Sequence, residues 1–300
     1  MAPAPAAVGE LPVVLLPVGP DDAALDAVLA ALDAATPAGT RVWLADDASA
    51  GPRGIAIIEH WLGTTALCAD YTRRQRPIGP VAHLDEALSA CGDADVAVLA
   101  GDAVPGPGWL QQLSSCLARD PSIGTATPWS NAGEAVAWPR LGEVGALPSG
   151  AELSALARAA SKMPPRHPEL PAAVGHAVLL RGNARKRAGG LDGASYGSWH
   201  AALVDLSLRL AGQGWRNALC ETAFVACGDE GRPADGDLDV LAARWPDWHP
   251  RLARFLMDDP LRVLRDALSS RLGAVDAASQ ADLFGEQAVD QPRLASGSVA

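Results

Sequence analysis

The stretch RVWLADDAS, residues 41–49, places five strand-forming residues directly before two carboxylates. A second stretch, VAVLAGD at residues 96–102, repeats that order and ends in an aspartate. Between such runs, apolar residues recur at helical spacing, first over residues 25–32. Short apolar strands that alternate with helices are typical of a sheet buried on both faces. The sequence therefore predicts an α/β fold with a mostly parallel central sheet flanked by helices.

The predicted elements follow this alternation along most of the chain. Strands are expected at residues 13–17, 41–45, 65–69, 96–99, 123–127 and 177–180. Helices are expected at residues 21–35, 54–62, 81–90, 109–118, 151–160 and 202–211. The Gly- and Pro-rich residues 133–150 are predicted to form a loop, and two amphipathic helices separated by Pro260 are expected between residues 237 and 272.

Four segments follow from this pattern. Residues 1–10 are predicted to be a flexible N-terminus, and residues 11–230 form one α/β domain. Residues 231–275 form a C-terminal helical extension, and the Ala-, Gly-, Ser- and Gln-rich residues 276–300 form a flexible tail.

Charge and cysteine content exclude several classes of function. The formal net charge is −11 and the isoelectric point is near 4.9, which would repel a nucleic-acid backbone. The five cysteines show no C-x-x-C spacing, which favours a reduced, cytoplasmic setting. The apolar runs are far shorter than the ~20 residues of a membrane-spanning helix, and residues 1–10 lack the basic start of a secretory signal.

Carboxylates at strand ends are the first candidates for chemistry. In open parallel sheets, ligands bind beyond the carboxyl ends of the strands, where Asp46, Asp47 and Asp102 are predicted to lie. Such groups accept hydrogen bonds from a base or ribose and hold a divalent cation through oxygen. A sugar nucleotide would use both properties. The alternative is that Asp-Asp-x-Ser forms an ordinary turn and helix cap.

A longer series of motifs is more specific than these acids alone. In chain order the motifs are LPVVLLP at 11–17, LADDAS at 44–49, IGPV at 78–81, VLAGDAV at 98–104, GWL at 108–110, TPWSN at 127–131, VGHAVLLR at 174–181, GGLD at 189–192, DLSLR at 205–209 and GW at 214–215. This succession resembles the family 2 glycosyltransferases, in particular the rhamnosyltransferase-like branch that builds polysaccharide. The resemblance covers residues 11–230, with a weaker similarity to residue 272.

The resemblance implies a GT-A nucleotide-diphospho-sugar transferase fold and an inverting transfer of a hexosyl or deoxyhexosyl group. The donor would be a uridine or deoxythymidine nucleotide sugar, and the acceptor a glycan or glycoconjugate. The implied donor-binding residues are Pro17, Asp46, Asp47 and Asp102, with Asp102 also a ligand for Mn²⁺ or Mg²⁺. The implied acceptor-side residues are Trp129, Asn131 and Trp199; for the tryptophans, simple packing is the alternative. The implied location is cytoplasmic, with peripheral association at the inner face of the membrane.

Three motifs depart from the family pattern. The D-x-D-like motif is Ala100-Gly101-Asp102, so one acid remains, and Cys227 replaces a histidine expected after the last strand. The acidic pair that supplies the general base is replaced by Ala202 and Leu203, neither of which can accept a proton.

Two nearby side chains are candidates for the missing base. His200 could deprotonate an acceptor hydroxyl, or it could be a solvent-facing residue at a helix start. Asp205 could act instead, or it could pair with Arg209 four residues further along a helix.

Two rival functions remain open. One is a catalytically inactive glycosyltransferase-like protein that binds a nucleotide sugar, a glycan or a paralogous glycosyltransferase, since a fold can outlive its chemistry. The other is a serine hydrolase, because residues 193–197 match G-x-S-x-G around Ser195. That motif requires a preceding strand, which residues 188–192 do not resemble. Dinucleotide, P-loop and zincin motifs are missing from the sequence.

Overall fold

The computed structural model describes residues 11–229 and 231–285, with side chains to residue 275. Its centre is a sheet of eight strands in the order β3-β2-β1-β4-β7-β6-β8-β5. The strands are β1 (Val13–Val18), β2 (Arg41–Asp46), β3 (Cys68–Arg73), β4 (Val96–Leu99), β5 (Ala103–Pro105), β6 (Ile123–Trp129), β7 (Ala177–Leu180) and β8 (Arg216–Cys227).

Helices connect and cover these strands. They are α1 (Asp22–Ala35), α2 (Pro52–Leu62), α3 (Pro80–Ala90), α4 (Trp109–Arg119), α5 (Gly150–Ser161), α6 (Gly182–Ala188), α7 (Trp199–Gly212), α8 (Asp237–Arg244), α9 (Trp248–Asp258) and α10 (Arg262–Gly285). A short 3-10 helix spans Glu134–Val136. None of the described helices is long and apolar enough to cross a membrane.

The sheet is mixed. Strands β3, β2, β1 and β4 are parallel neighbours, with Val18 beside Asp46 and Leu15 beside Val98. Strand β7 then runs antiparallel to both β4 and β6, while β8 is parallel to β6 and antiparallel to β5. The carboxyl ends of β1, β2 and β4 therefore share one edge of the sheet, as the sequence predicted.

Three apolar clusters hold the layers together. Helices α1, α2 and α4 pack on one face of the sheet, and α3, α6 and α7 pack on the other. Helices α5 and α10 cover the ends of β6 and β8, where Trp129 and Phe224 are buried. The strands are hydrophobic on both sides because helices cover both faces.

Several predicted boundaries need correction. Strand β3 begins three residues later than predicted, because it is an edge strand whose side chains are mostly exposed and therefore lack an apolar signal. Helix α6 and most of β8 were not predicted, and the C-terminal extension contains three helices instead of two. Helix α10 continues to Gly285, past the predicted start of the tail. The predicted N-terminal segment 1–10 and the tail from 286 lie outside the described residues.

Candidate functional site

A cavity of about 210 Å³ lies beyond the carboxyl ends of the central strands. It brings together side chains from the turn after β4, the approach to β7, the start of α7 and the loop after β8. The described lining residues are Ala100, Asp102, Gly175, His176, Trp199, His200, Asp229, Gly231 and Arg232. Three of the residues predicted for the site, Asp102, Trp199 and His200, therefore share one cavity.

Asp102 lies in the short turn that joins β4 to β5 and is partly exposed. Its carboxylate accepts a hydrogen bond from the backbone N–H of Asp229 at 2.8 Å, which ties this turn to the loop after β8. Gly228 packs so closely that a Cβ there would lie 3.1 Å from the Asp102 Oδ2. A small residue at position 228 therefore gives the carboxylate its room.

The described residues do not form a complete metal site. They contain no group of three or more His, Cys, Asp or Glu side chains placed to hold an ion. Cys227, at the position of the missing histidine, is buried, with its Sγ 3.0 Å from the carbonyl of Ala132 and 3.3 Å from the Ser130 hydroxyl. Asp102 is the predicted ligand that remains at the cavity, and Asp229 is a second carboxylate beside it, whereas Mg²⁺ and Mn²⁺ favour a larger set of oxygen ligands.

Asp46 is fully buried, and its carboxylate is engaged within the protein. It accepts hydrogen bonds from Ser49 N at 2.7 Å and Tyr71 Oη at 2.7 Å, and it pairs with Arg73. Burial alone would raise the pKa of Asp46, but the Tyr71 hydroxyl, the amides of Ser49 and Ala50, and Arg73 outweigh it, so the pKa is lowered. Asp46 therefore takes the turn-and-cap role instead of the predicted direct contact with the donor, because its buried carboxylate is already bound by these neighbours.

Asp47 lies at the end of β2 and anchors the loop before α3. Its carboxylate accepts hydrogen bonds from the backbone N–H groups of Ile78 at 3.0 Å and Gly79 at 2.8 Å. Gly79 has φ 101°, a left-handed conformation that favours glycine. Pro17 is partly buried at the end of β1, and its carbonyl borders the turn that holds Asp102. These residues shape the edge of the sheet on the predicted donor side.

The predicted acceptor-side residues take three different positions. Trp199 lines the cavity and donates its indole N–H to the Gly175 carbonyl at 2.9 Å. Asn131 bridges two segments, with its Oδ1 accepting from Cys227 N and its Nδ2 donating to the Cys227 carbonyl, both at 2.9 Å. Trp129 has no exposed surface and packs in the core, with the Arg265 guanidinium 5.7 Å from its ring, so its predicted place on a groove wall is corrected.

The two candidate bases differ sharply in environment. His200 lies in the first turn of α7 with 20% of its side chain exposed, and its Nε2 is 3.7 Å from the Glu134 Oε1. Asp205 is fully buried and accepts hydrogen bonds from Arg209 at 2.8 Å and the Trp245 indole at 2.9 Å. The structural pairing foreseen for Asp205 therefore replaces its candidate catalytic role, because its carboxylate does not reach the cavity.

His176 also lines the cavity, with 3% of its surface exposed. Within the described part of the chain, no hydrogen bond of good geometry reaches either ring nitrogen. Burial lowers the pKa of His176 to about 3, and it outweighs the nearby Pro128 carbonyl, which acts in the opposite direction. His176 is therefore a neutral imidazole at neutral pH.

Glu134 and Arg232 were missed by the sequence analysis because both lie in segments predicted as loops or linkers. Glu134 is in the Gly- and Pro-rich stretch after β6, and Arg232 follows β8. The pattern of loop residues carries no periodic signal that would place them beside His200 and Asp102. The charge of Glu134 and Arg232 was the one feature of the sequence that could have marked them as candidate site residues.

Ser195 does not form a nucleophile elbow. It lies in the connection between α6 and α7, where the nucleophile elbow would need a strand before it. Its hydroxyl accepts a hydrogen bond from Arg244 at 3.2 Å, and its backbone N–H donates to the Asp192 carboxylate at 3.0 Å. Ser195 thus has a place in a turn that supports α7.

The sequence matches no protein-family model and no curated protein. Solved structures are similar in fold. The mannosyltransferase PcManGT from Pyrobaculum calidifontis, in complex with GDP-Man and Mn²⁺, aligns with a TM-score of 0.55 and 16% identity, over 93% of this chain and 81% of that one. GalNAc-T7 with UDP, GalNAc and Mn²⁺ aligns with a TM-score of 0.57 and 13% identity, over 88% of this chain.

The chain has a GT-A glycosyltransferase fold. A third similar structure, S. aureus TarS 1-349 with UDP-GlcNAc, has a TM-score of 0.50 and 12% identity, over 87% of this chain and 71% of that one. The alignment spans only 55% of GalNAc-T7, so that protein is considerably longer than this GT-A chain. At these identities the similarity establishes the fold alone, because one fold hosts many functions.

Proposed function

We propose that this protein is an inverting glycosyltransferase that moves a hexosyl or deoxyhexosyl group from a nucleotide sugar to a glycan or glycoconjugate acceptor. The observation that carries the proposal is the position of Asp102 in a cavity beyond the carboxyl ends of the strands of a GT-A fold. Ligands of open α/β sheets bind at this edge. The motif succession supports a member of family 2, in its rhamnosyltransferase-like branch, acting in polysaccharide assembly in the cytoplasm.

On the donor side, Asp102 would accept hydrogen bonds from the ribose of the nucleotide sugar. Pro17 and Asp47 would shape the floor and rim of the donor site, with Asp46 holding the turn between them. Arg232 lines the same cavity and offers a positive charge to the diphosphate, which gains charge as the sugar departs. An aromatic side chain such as Trp199 suits the apolar face of an acceptor sugar.

The reaction would be a single displacement. An acceptor hydroxyl attacks the anomeric carbon on the face opposite the leaving group, a new C–O bond forms, and the bond to the diphosphate breaks with its electron pair. The proton of the hydroxyl passes to a base in the cavity. The nucleoside diphosphate leaves, and the anomeric configuration inverts.

A divalent cation is implied by the resemblance and is present with the two similar proteins crystallised with Mn²⁺. The described residues of this chain do not provide a complete ligand set, so the transfer proposed here does not use a cation. Donor binding is accordingly expected to persist in EDTA. A response that requires Mn²⁺ would instead establish Asp102 as a metal ligand.

The test is thermal unfolding with UDP, GDP and dTDP sugars, in Mn²⁺ and in EDTA. Asp102→Ala should abolish the ligand-induced rise in Tm and leave the far-ultraviolet dichroism unchanged, because the lost interaction is with the ligand. Asp26→Ala, an exposed position on α1, is the matched control and should retain the full rise. An unchanged rise in Asp102→Ala would overturn the donor-site assignment.

A second candidate, a catalytically inactive protein, is favoured by one observation. Ala202 and Leu203, where the family carries its acidic base, are 0% and 1% exposed in the apolar interior of α7. Such a protein would bind a nucleotide sugar, a glycan or a paralogous glycosyltransferase, with peripheral membrane association as a further property of the resemblance. Release of nucleoside diphosphate distinguishes the two candidates, because binding alone raises Tm without turnover.

A further inference from the structure

The acidic base of the family is absent from this chain, so the proton acceptor for the reaction has to be another side chain. A hydroxyl attacks well only when its proton is taken up as the new bond forms, and a positioned base contributes typically 10²–10⁴-fold to such a step. Positions 202 and 203 contribute only apolar side chains to the core of α7. If the cavity supports transfer, another side chain that lines it must accept the proton.

His200 and Glu134 form a pair at this place. His200 lines the cavity that holds Asp102 and also a narrow adjoining recess, where Glu134 lies. The Nε2 of His200 is 3.7 Å from the Glu134 Oε1, with side-chain exposures of 20% and 36%. With Nε2 directed to a carboxylate, Nδ1 is the ring nitrogen that is left to accept a proton.

The backbone fixes both partners. Ser198 caps α7 by accepting a hydrogen bond from Ala201 N at 3.2 Å, which places His200 in the first turn. Glu134 has φ 35°, a left-handed conformation that is unfavourable for a residue with a side chain. The carbonyls on either side of Val136 accept hydrogen bonds from Arg265, at 2.8 Å for Ala135 and 2.7 Å for Ala137. Strained backbone that is held by its surroundings occurs preferentially at functional sites.

We propose that His200, oriented by Glu134, is the general base that replaces the absent acidic pair. The acceptor O–H bond breaks as its proton moves to Nδ1 of His200, and the oxygen forms the bond to the anomeric carbon. The C–O bond to the diphosphate breaks, and its electron pair leaves with the nucleoside diphosphate. Glu134 stabilises the imidazolium that results, and it is a positioning residue because it acts through His200. This inference rests on the proposed function.

Other titratable or charged groups face the same cavity from neighbouring elements. They are Asp102 after β4, His176 before β7, and Asp229 and Arg232 after β8. His176 stays neutral at neutral pH because burial lowers its pKa to about 3. His176 is therefore not the source of a rate change near neutral pH.

The experiment compares His200→Gln and Glu134→Gln with His60→Gln, an exposed histidine on α2. The probe is the nucleotide sugar that gives the largest wild-type rise in Tm, with release of nucleoside diphosphate to water as the measured turnover. His200→Gln should lower kcat at least about 100-fold. Glu134→Gln should lower kcat about 10-fold with KM unchanged, because it removes the charge that stabilises the imidazolium formed in the transition state. Both variants should retain the donor-induced rise in Tm.

Glu143→Gln, an exposed acid of the same loop, is the matched control for Glu134→Gln and should keep the wild-type kcat. Glu134→Asp, which restores a carboxylate, should recover part of the kcat that Glu134→Gln loses. Full kcat in His200→Gln or in Glu134→Gln overturns the inference. If the wild type binds a donor and releases no nucleoside diphosphate, the assignment of His200 as the general base is wrong, and the donor-site assignment is unaffected. Loss of donor binding in the wild type would overturn the proposed function itself.

Discussion

The protonation of one buried side chain, His176, affects how the stability of the folded protein depends on pH. Its pKa is lowered from 6.5 to about 3, so the folded protein resists protonation while the unfolded chain accepts a proton below about 6.5. The free energy of unfolding should therefore fall as pH decreases from about 6.5 towards about 3. The slope from this one group is about 1.4 kcal/mol per pH unit, by the conversion of pKa units to free energy.

His176→Phe should flatten the dependence of stability on pH between about 6.5 and 5, because the substitution removes the group that takes up the proton on unfolding. Urea unfolding at several pH values measures the slope. His249→Phe, at an exposed position on α9, should keep the wild-type slope. The same slope in His176→Phe and in the wild type would contradict the assignment of a neutral, desolvated imidazole.

Asp46 illustrates how one residue type supports two different interpretations. The same Asp-Asp-x-Ser sequence fits a nucleotide contact and a capped turn. The side chain bonds to Ser49, Ala50, Tyr71 and Arg73, which leaves its carboxylate with no exposed surface. Its lowered pKa means that this stabilising network is complete above about pH 4 and is lost as pH falls through the folded value.

At the level of elements, Asp205 fastens α7 to α8 and to the turn before α7. Its two oxygens accept hydrogen bonds from Arg209 at 2.8 Å, Trp245 at 2.9 Å, Arg244 at 3.1 Å and Tyr196 at 3.3 Å. Burial and the charge of Asp205 raise the pKa of Tyr196 to about 12, so the phenol remains a donor. A buried carboxylate with four donors is a structural junction between elements.

Asp205→Ala should lower the free energy of unfolding by about 3 kcal/mol, because two arginines and an indole lose their buried acceptor. The value lies at the low end for a broken buried pair, since 38% of the Arg244 side chain is in solvent. Chemical denaturation measures the change. Asp239→Ala, an exposed acid on α8, should stay within about 0.5 kcal/mol of wild type. A similarly small loss for Asp205→Ala would contradict its role as a structural junction.

Across the whole molecule, the last helix supports the predicted acceptor side of the cavity. Arg265 on α10 is 2% exposed, pairs with Asp259 and donates to the carbonyls of Ala135 and Ala137. Its guanidinium also lies over the Trp129 ring at 5.7 Å. A residue of the C-terminal extension therefore holds the loop that carries Glu134.

Arg265→Met should accelerate amide hydrogen exchange in residues 130–140, while exchange in β1 to β4 stays as in wild type. The reason is that two buried carbonyls lose their donors, at a cost of about 1–3 kcal/mol for each unsatisfied group. Exchange followed by mass spectrometry gives the comparison. Arg262→Met, on the exposed side of the same helix, is the control. Unchanged exchange in residues 130–140 would show that the loop is held by other contacts.

The sequence alone determined the local order of the fold. Apolar strands followed by helices predicted β1, β2 and β4 and their covering helices, since hydrophobic periodicity is a local property. It also placed Asp46, Asp47 and Asp102 at one edge, because the carboxyl ends of parallel strands share an edge. The edge strand β3 and helix α6 gave weaker signals, since exposure in the first and shortness in the second leave little periodic pattern.

Only the tertiary structure decided what those residues face. Strand β7 reverses direction between β4 and β6, and this reversal puts His176 beside the turn of Asp102. Glu134 meets His200 because a loop after β6 lies against the start of α7, a contact between residues far apart in the chain. Burial of Asp46 and exposure of Asp102 likewise depend on neighbours from other strands. Periodicity specifies which side of an element is apolar, whereas the environment of a polar group is set by long-range packing that spacing along the chain does not encode.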